Sequence, residues 1–225
     1  MGTISKDLSE TIHRIAFKEI GPDKPSTQYQ SDPLLARLKE LGTELWVDTG
    51  ELELAQSIWK KELTALTTNN TLANQVVQSG VMDDVIQETI DKLGEAASGL
   101  TREELVMEIG FVINCRIALR LVEAFKVKVS VELHPSISCD IEKSVEYGKR
   151  YFRICPEYFI IKVPLTPEGL LATRKIRQEN IPVNFTLGFS ARQNYLAARL
   201  SNPDYVNVFL GRLNAVVSDN SAGSG

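Results

Sequence analysis

The sequence predicts an α/β fold of the (β/α) barrel type with six strands, preceded by an N-terminal helical extension. Three observations carry this. From Glu44 onward short apolar runs alternate with amphipathic stretches. The runs are almost continuously apolar, as expected of parallel strands covered by helices on the outer face. No G-x-G-x-x-G follows the first run and no G-x-x-x-x-G-K-[ST] occurs in the sequence, which removes the commonest nucleotide-binding forms of the open doubly wound sheet and favours the barrel.

Residues 1–43 read as the extension. "SETIHRIAFKEI" places apolar residues at helical spacing, "GPDKPSTQYQSDP" breaks the pattern, and "LLARLKELG" is a short helix that stops at Gly42. The barrel domain spans 44–218. "ELWVD" is its first strand, "GELELAQSIWKKE" a helix, and "LTALTTNN" the second strand. A helical stretch from Thr71 to Phe125 follows, broken by Gly80 and "GEAASG". Then come "KVKVSVEL" (strand), "DIEKSVEYGKRYF" (helix), "YFIIKVP" (strand), "TPEGLLATRKIRQE" (helix, Thr166 at the N-cap and Pro167 at N1), "IPVNFTLG" (strand), "SARQNYLAARL" (helix) and "YVNVFLG" (strand). Residues 219–225, rich in Gly and Ser, read as a flexible tail.

Composition excludes several function classes. The chain has 225 residues, 43% of them apolar and 24% charged, which is ordinary globular usage. A net charge of -4 with Lys and Arg spread along the length offers no polybasic face, so no nucleic-acid partner is expected. Cys115, Cys139 and Cys155 are odd in number and widely spaced, so they read as reduced thiols rather than a disulfide or zinc framework. The N-terminal residues have no uninterrupted apolar core of a signal peptide, and no segment approaches the roughly eighteen apolar residues of a membrane span. The expectation is a cytoplasmic protein with no membrane partner.

In a barrel the chemistry sits where strands end. Here the runs close on Asp48, Asn69, Glu132, Lys162, Asn184 with Thr186, and Asn207 with Arg212. Each has a bland reading by itself. Asp48 before Thr-Gly suits a turn, Glu132 a solvated edge, Lys162 a snorkelling or ion-paired cation, and Arg212 a surface arginine. Their joint placement at six successive strand ends favours a shared role.

Lys162 is the most telling, because "FIIKVP" surrounds it with apolar neighbours and a buried ammonium is costly enough that it sheds its proton readily. A neutral lysine attacks a ketone, forms a carbinolamine, and loses water to an iminium that draws electrons from an adjacent carbon–carbon bond. Glu132 could move protons during that dehydration through a water held by Thr186, and Asp48 could take the hydroxyl proton of the breaking bond. Asn69 and Asn184 suit sugar hydroxyls, and Arg212 suits a phosphate. No cofactor and no metal is expected.

At these residues the sequence resembles a transaldolase, a class I Schiff-base aldolase. "WVDTGELELAQSIW", "ALTTNNTLANQVV", "VSVELHP", "IIKVPLTPEGLLATRKIRQENIPVNFTLGFSARQ" and "VFLGRLNAVV" match that family's successive strand motifs in order, over residues 44 to 218. The resemblance implies a (β/α)8 barrel of the pentose phosphate pathway that transfers a dihydroxyacetone unit between sugar phosphates. It implies Lys162 as Schiff-base lysine, Asp48 and Glu132 as the acid/base pair, Thr186 as the catalytic-water residue, Asn69 and Asn184 as substrate-contacting amides, and Arg212 as a phosphate ligand. Asn207 stands where the family often has Ser. The family's last two βα units, which carry a serine and a second phosphate-site arginine, are not found, so against that family the (β/α)8 barrel reads as truncated after its sixth strand. The expectations that follow are weak activity of the chain alone and self-association through strands one and six. An aldolase that releases dihydroxyacetone and an inactive barrel fragment are the alternatives.

Overall fold

In the computed structural model, which describes residues 6–21, 28–97 and 99–221, the apolar runs fold as six strands. They are β1 (Leu45–Asp48), β2 (Leu63–Thr67), β3 (Lys128–Glu132), β4 (Phe159–Pro164), β5 (Val183–Gly188) and β6 (Tyr205–Val208). Strand order follows the chain, and β1 with β2, β2 with β3, β4 with β5 and β5 with β6 pair in parallel. That sequential, parallel order with helices between the strands is the connectivity of a (β/α) barrel. Residues 22–27 of the predicted break after the first helix, and 222–225 of the predicted tail, lie outside the described residues.

Two compact units divide the chain. The first comprises Met1–Glu132 and Arg150–Phe159, and holds β1 to β3. Its helices are α1 (Lys6–Ala16), α2 (Pro33–Glu40), α3 (Leu52–Ile58), α4 (Asn70–Gln78), α5 (Asp83–Leu93) and α6 (Arg102–Phe125). The apolar spacing of the extension is used: Leu8, Ile12, Ile15 and Ala16 of α1 are buried, and α1 packs against α5 and α6. Asp32 caps α2 by accepting from the amides of Leu34 and Leu35, and Glu62 in turn accepts from the Asp32 amide at 3.1 Å. Thr101 and Glu104 form a capping box that starts α6. Ala73, Val76, Met82, Ile113 and Ile117 form one apolar cluster among α4 to α6.

α3 stops at Ile58, short of the helix expected through Glu62. Trp59 takes an extended conformation and its ring stacks on Phe125 with centroids 3.9 Å apart. Burial of an indole against an aromatic face outweighs the few tenths of a kcal/mol per residue that helix propensity offers.

The second unit comprises Leu133–Lys149 and Ile160–Gly225. It holds most of α7 (Ile141–Ile154) and β4, the strands β5 and β6, and the helices α8 (Pro167–Gln178), α9 (Ala191–Ser201) and α10 (Leu210–Ser221). Its core is made by Ile161, Val163, Ala172, Ile176, Val183, Phe185 and Ala197. As expected, Thr166 caps α8, its Oγ1 accepting from the Gly169 amide at 2.8 Å with Pro167 in the first turn. A Cβ on Gly169 would lie 2.2 Å from the Pro164 carbonyl oxygen, so only glycine lets α8 leave β4 this closely. On β6, by contrast, Val206 and Val208 are 38% and 59% exposed.

Candidate functional site

Side chains of a strand alternate between two faces, and parallel register partners share a face. In the first unit Asp48 pairs with Thr67 and Thr67 with Ser130. Leu66 and Val129, one residue back, are fully buried on the opposite face. Glu132, the last residue of β3, and Asn69, just past β2, lie two residues beyond Ser130 and Thr67, so their positions continue the Asp48 face. Asp48 is exposed, and Asn69 and Glu132 are half-buried. Asn69 has a structural task as well: its Oδ1 accepts from the Leu72 amide at 3.0 Å and caps α4. Its carboxamide N–H groups point to a second partner class, since the cap uses only the oxygen.

In the second unit Lys162 pairs with Asn184, and Pro164 with Thr186. Register partners in adjacent strands lie about 4.8 Å apart. Ile161, next to Lys162, faces α7, where its Cγ2 comes within 3.6 Å of the place a Cβ of Gly148 would occupy. Lys162 therefore projects from the other face, with Asn184 beside it and Thr186 one step along. All three are buried: Lys162 is 4% exposed, Asn184 1% and Thr186 0%. The Lys162 carbonyl accepts from the Leu133 amide at 2.9 Å, and the Thr186 carbonyl from the Leu165 amide at 2.9 Å, so both backbones are held. The Thr186 hydroxyl is buried with no hydrogen-bond partner among the described residues, a costly state for a polar group unless something else satisfies it.

Beyond Thr186 the strand is irregular. Leu187 adopts φ 65, the pairing of β5 with β6 shifts between Phe185 and Gly188, and a Cβ on Gly188 would meet the Asn194 side chain at 2.0 Å and the Asn207 carbonyl at 2.7 Å. Such bulges re-aim side chains at strand ends. Asn207 is half-buried here, and Arg212 lies exposed in the first turn of α10. Sequence reading missed two residues at this end: Phe189 and Phe209 pack with centroids 5.4 Å apart, and the Arg212 guanidinium sits 5.0 Å over the Phe209 ring. The aromatic at Phe209, three residues before an arginine at a strand end, was the available signal.

His134, two residues after Glu132, also escaped the sequence reading. Its Nδ1 accepts from the Ser136 amide at 3.2 Å, and burial pushes its pKa below the ordinary 6.5. His13 on α1 is lowered too, by burial first and then by the nearby Arg153 charge. These are the chain's two histidines. A depressed histidine pKa means the unfolded chain takes up a proton near 6.5 that the folded chain refuses until lower pH, so stability is lost as pH falls through that window. The shifted carboxylates, Glu62 and Glu88, titrate below their ordinary 4.5 and stay out of it. Urea midpoints are expected to be flat between about pH 7 and 8 and to decline toward about pH 5.5, and His13→Gln/His134→Gln should flatten the decline. Equal slopes in both proteins would refute this.

Among the described residues no group of three or more His, Cys, Asp and Glu could hold a metal ion, and no helix is long and apolar enough to cross a membrane.

The sequential parallel α/β order, with a buried lysine in register with an asparagine on adjacent strands, is that of the (β/α) barrel class, which carries its sites at strand ends. The chain belongs to the transaldolase/fructose-6-phosphate aldolase family, whose model matches residues 45–224. It is similar to a probable transaldolase of Nitrosopumilus maritimus (40% identical over 99 residues, 44% of this chain and 42% of the relative). It is also similar to one of Halalkalibacterium halodurans (38% over 127 residues, 56% and 57%) and to one of Thermus thermophilus (34% over 178 residues, 78% and 66%). The matches thus span between 42% and 66% of these relatives' own lengths.

Proposed function

We propose that this chain is a transaldolase, moving a dihydroxyacetone unit from sedoheptulose 7-phosphate or fructose 6-phosphate to an aldose phosphate through a Schiff base on Lys162. The observation that carries the reading is Lys162 itself, an amine 4% exposed and in register with Asn184. The lysine Nζ adds to the donor ketone, water leaves, and the resulting iminium accepts the electron pair of the breaking carbon–carbon bond. An aldose phosphate departs and an enamine stays on Lys162. The enamine carbon then attacks the acceptor aldehyde, and water hydrolyses the new iminium to return the free amine.

Glu132 serves the dehydration and hydrolysis as proton carrier, through a water that the Thr186 hydroxyl holds. The buried Thr186 Oγ1, without a partner among the described residues, supports that role. Asp48 takes the proton of the donor hydroxyl as the bond breaks. Asn69, Asn184 and Asn207 bind sugar hydroxyls, and Arg212, braced by Phe209, binds phosphate.

A second reading, a barrel segment that acts only when further βα units are supplied by another chain or a second copy, has its own observation in the exposed Val206 and Val208 of β6. One experiment addresses both. The chain is separated by gel filtration, and each fraction is treated with borohydride and fructose 6-phosphate. A reduced sugar-phosphate adduct on the Lys162 peptide of the monomer supports the first reading, and adduct confined to an associated fraction supports the second. Adduct on other lysines with none on Lys162 refutes the Schiff-base assignment.

A further inference from the structure

A cleft of about 350 Å³ opens between the C-terminal ends of α8 and α9, lined by Arg174, Arg177, Gln178, Arg199, Leu200, Ser201 and Asn202. Three guanidiniums in one cleft are unusual on a chain of net charge -4. They differ in what holds them. Arg177 is locked: Nε donates to the Asn202 carbonyl at 3.0 Å, Nη1 donates to the Ile181 carbonyl at 2.9 Å, and Nη1 pairs with Asp204 at 2.9 Å. Arg174 and Arg199 make no hydrogen bond or ion pair with any described residue. The other carboxylates of this neighbourhood are engaged elsewhere, Glu179 with Lys149 and Glu142 with Lys175. Among the described residues no Asp or Glu lines the cleft itself, and Asp204 is taken up by Arg177, so the charges of Arg174 and Arg199 are left over.

Placing cations at helix C-termini stabilises the helix dipole, and that accounts for Arg177 and Arg199, each in a last turn. It does not account for Arg174, which lies a turn earlier in α8. We infer that the cleft is a binding site for a small phosphate-bearing anion, gripped by the forks of Arg174 and Arg199 over a floor set by Arg177. A phosphate offers oxygens to two guanidinium forks at once, whereas one fork satisfies a lone carboxylate. Gln178 and Asn202 add amide donors at the rim.

The site is separate from the one at Lys162. Its residues precede β5 and β6 in the chain and lie at the N-terminal ends of those strands, while Thr186 and Arg212 lie at or beyond the C-terminal ends. Six residues of strand put the two about 15–20 Å apart. The cleft is open and the helix carbonyls oppose an anion, so binding should be weak, with Kd on the order of millimolar.

The test uses the full 225-residue chain, labelled with 15N and titrated with inorganic phosphate. An Arg212→Gln variant removes the proposed phosphate contact of the other site. In it, saturable shifts are expected at the amides of Gln178, Ser201 and Asn202. In Arg174→Gln/Arg199→Gln the same amides should respond about tenfold more weakly, while the thermal midpoint stays within a few degrees. Absence of shifts at these amides, or shifts that survive the double substitution, would overturn the inference. So would a double variant that loses stability and leaves phosphate binding unchanged, because the arginines would then serve the helix ends alone.

Discussion

Lys162→Met is expected to lower transfer from fructose 6-phosphate to erythrose 4-phosphate by on the order of 10⁴-fold or more while the chain still folds. The reading proposed above makes Lys162 the covalent nucleophile, and losing such a group costs that much, 10⁴-fold corresponding to about 5 kcal/mol of barrier. Met is the informative replacement. It matches the lysine stem in length and takes away only the amine, on the face where Asn184 lies beside it. The thermal midpoint is expected to stay within a few degrees as activity disappears, since the swap nearly conserves volume. A variant within tenfold of the parent rate would show that Lys162 is a structural lysine and that the reaction proceeds otherwise.

The second large effect concerns stability and lies away from the strand ends. Glu108 sits in the middle of α6 with 0% exposure, and Arg150 on α7 meets it through two parallel hydrogen bonds, 2.9 Å to Oε1 and 2.5 Å to Oε2. The guanidinium also lies 4.5 Å over the ring of Phe111, which packs 4.6 Å from Tyr151. Arg150→Met removes the bidentate cationic partner of a carboxylate buried in the core. The expected cost is about 3–5 kcal/mol, a large share of the roughly 5–15 kcal/mol that holds a typical domain together. Replacing both residues, as Glu108→Leu/Arg150→Met, should recover most of that loss, since an apolar pair of similar volume avoids the desolvation of both charges. Denaturant unfolding of the two variants decides it. A single substitution costing less than about 1 kcal/mol would mean that water or another group already compensates Glu108.

The sequence by itself determined the alternation of strands and helices and the closing of β1 on Asp48 and of β3 on Glu132, whereas Lys162, Asn184 and Thr186 stand inside their strands and Arg212 in α10. Those features are local: a period of two or 3.6, a Thr-Pro start at Thr166, and apolar runs that end on a polar residue are written within a few positions of one another. It also determined that Lys162 would stand among buried aliphatics, because "FIIKVP" leaves it no polar neighbour. Tertiary structure decided what depends on distant partners. It drew Trp59 out of its helix onto Phe125, and it set Lys162 beside Asn184 through strand register. It forced Leu187 to positive φ where Gly188 passes Asn207, and it joined Glu108 to Arg150 across a separation of 42 residues. It also brought Arg174 and Arg177 of α8 and Arg199 of α9 to one cleft. Register, close approach and charge pairing are set by the packing free energy of whole elements, to which side chains far apart in sequence contribute together, and no window of neighbouring residues contains that sum.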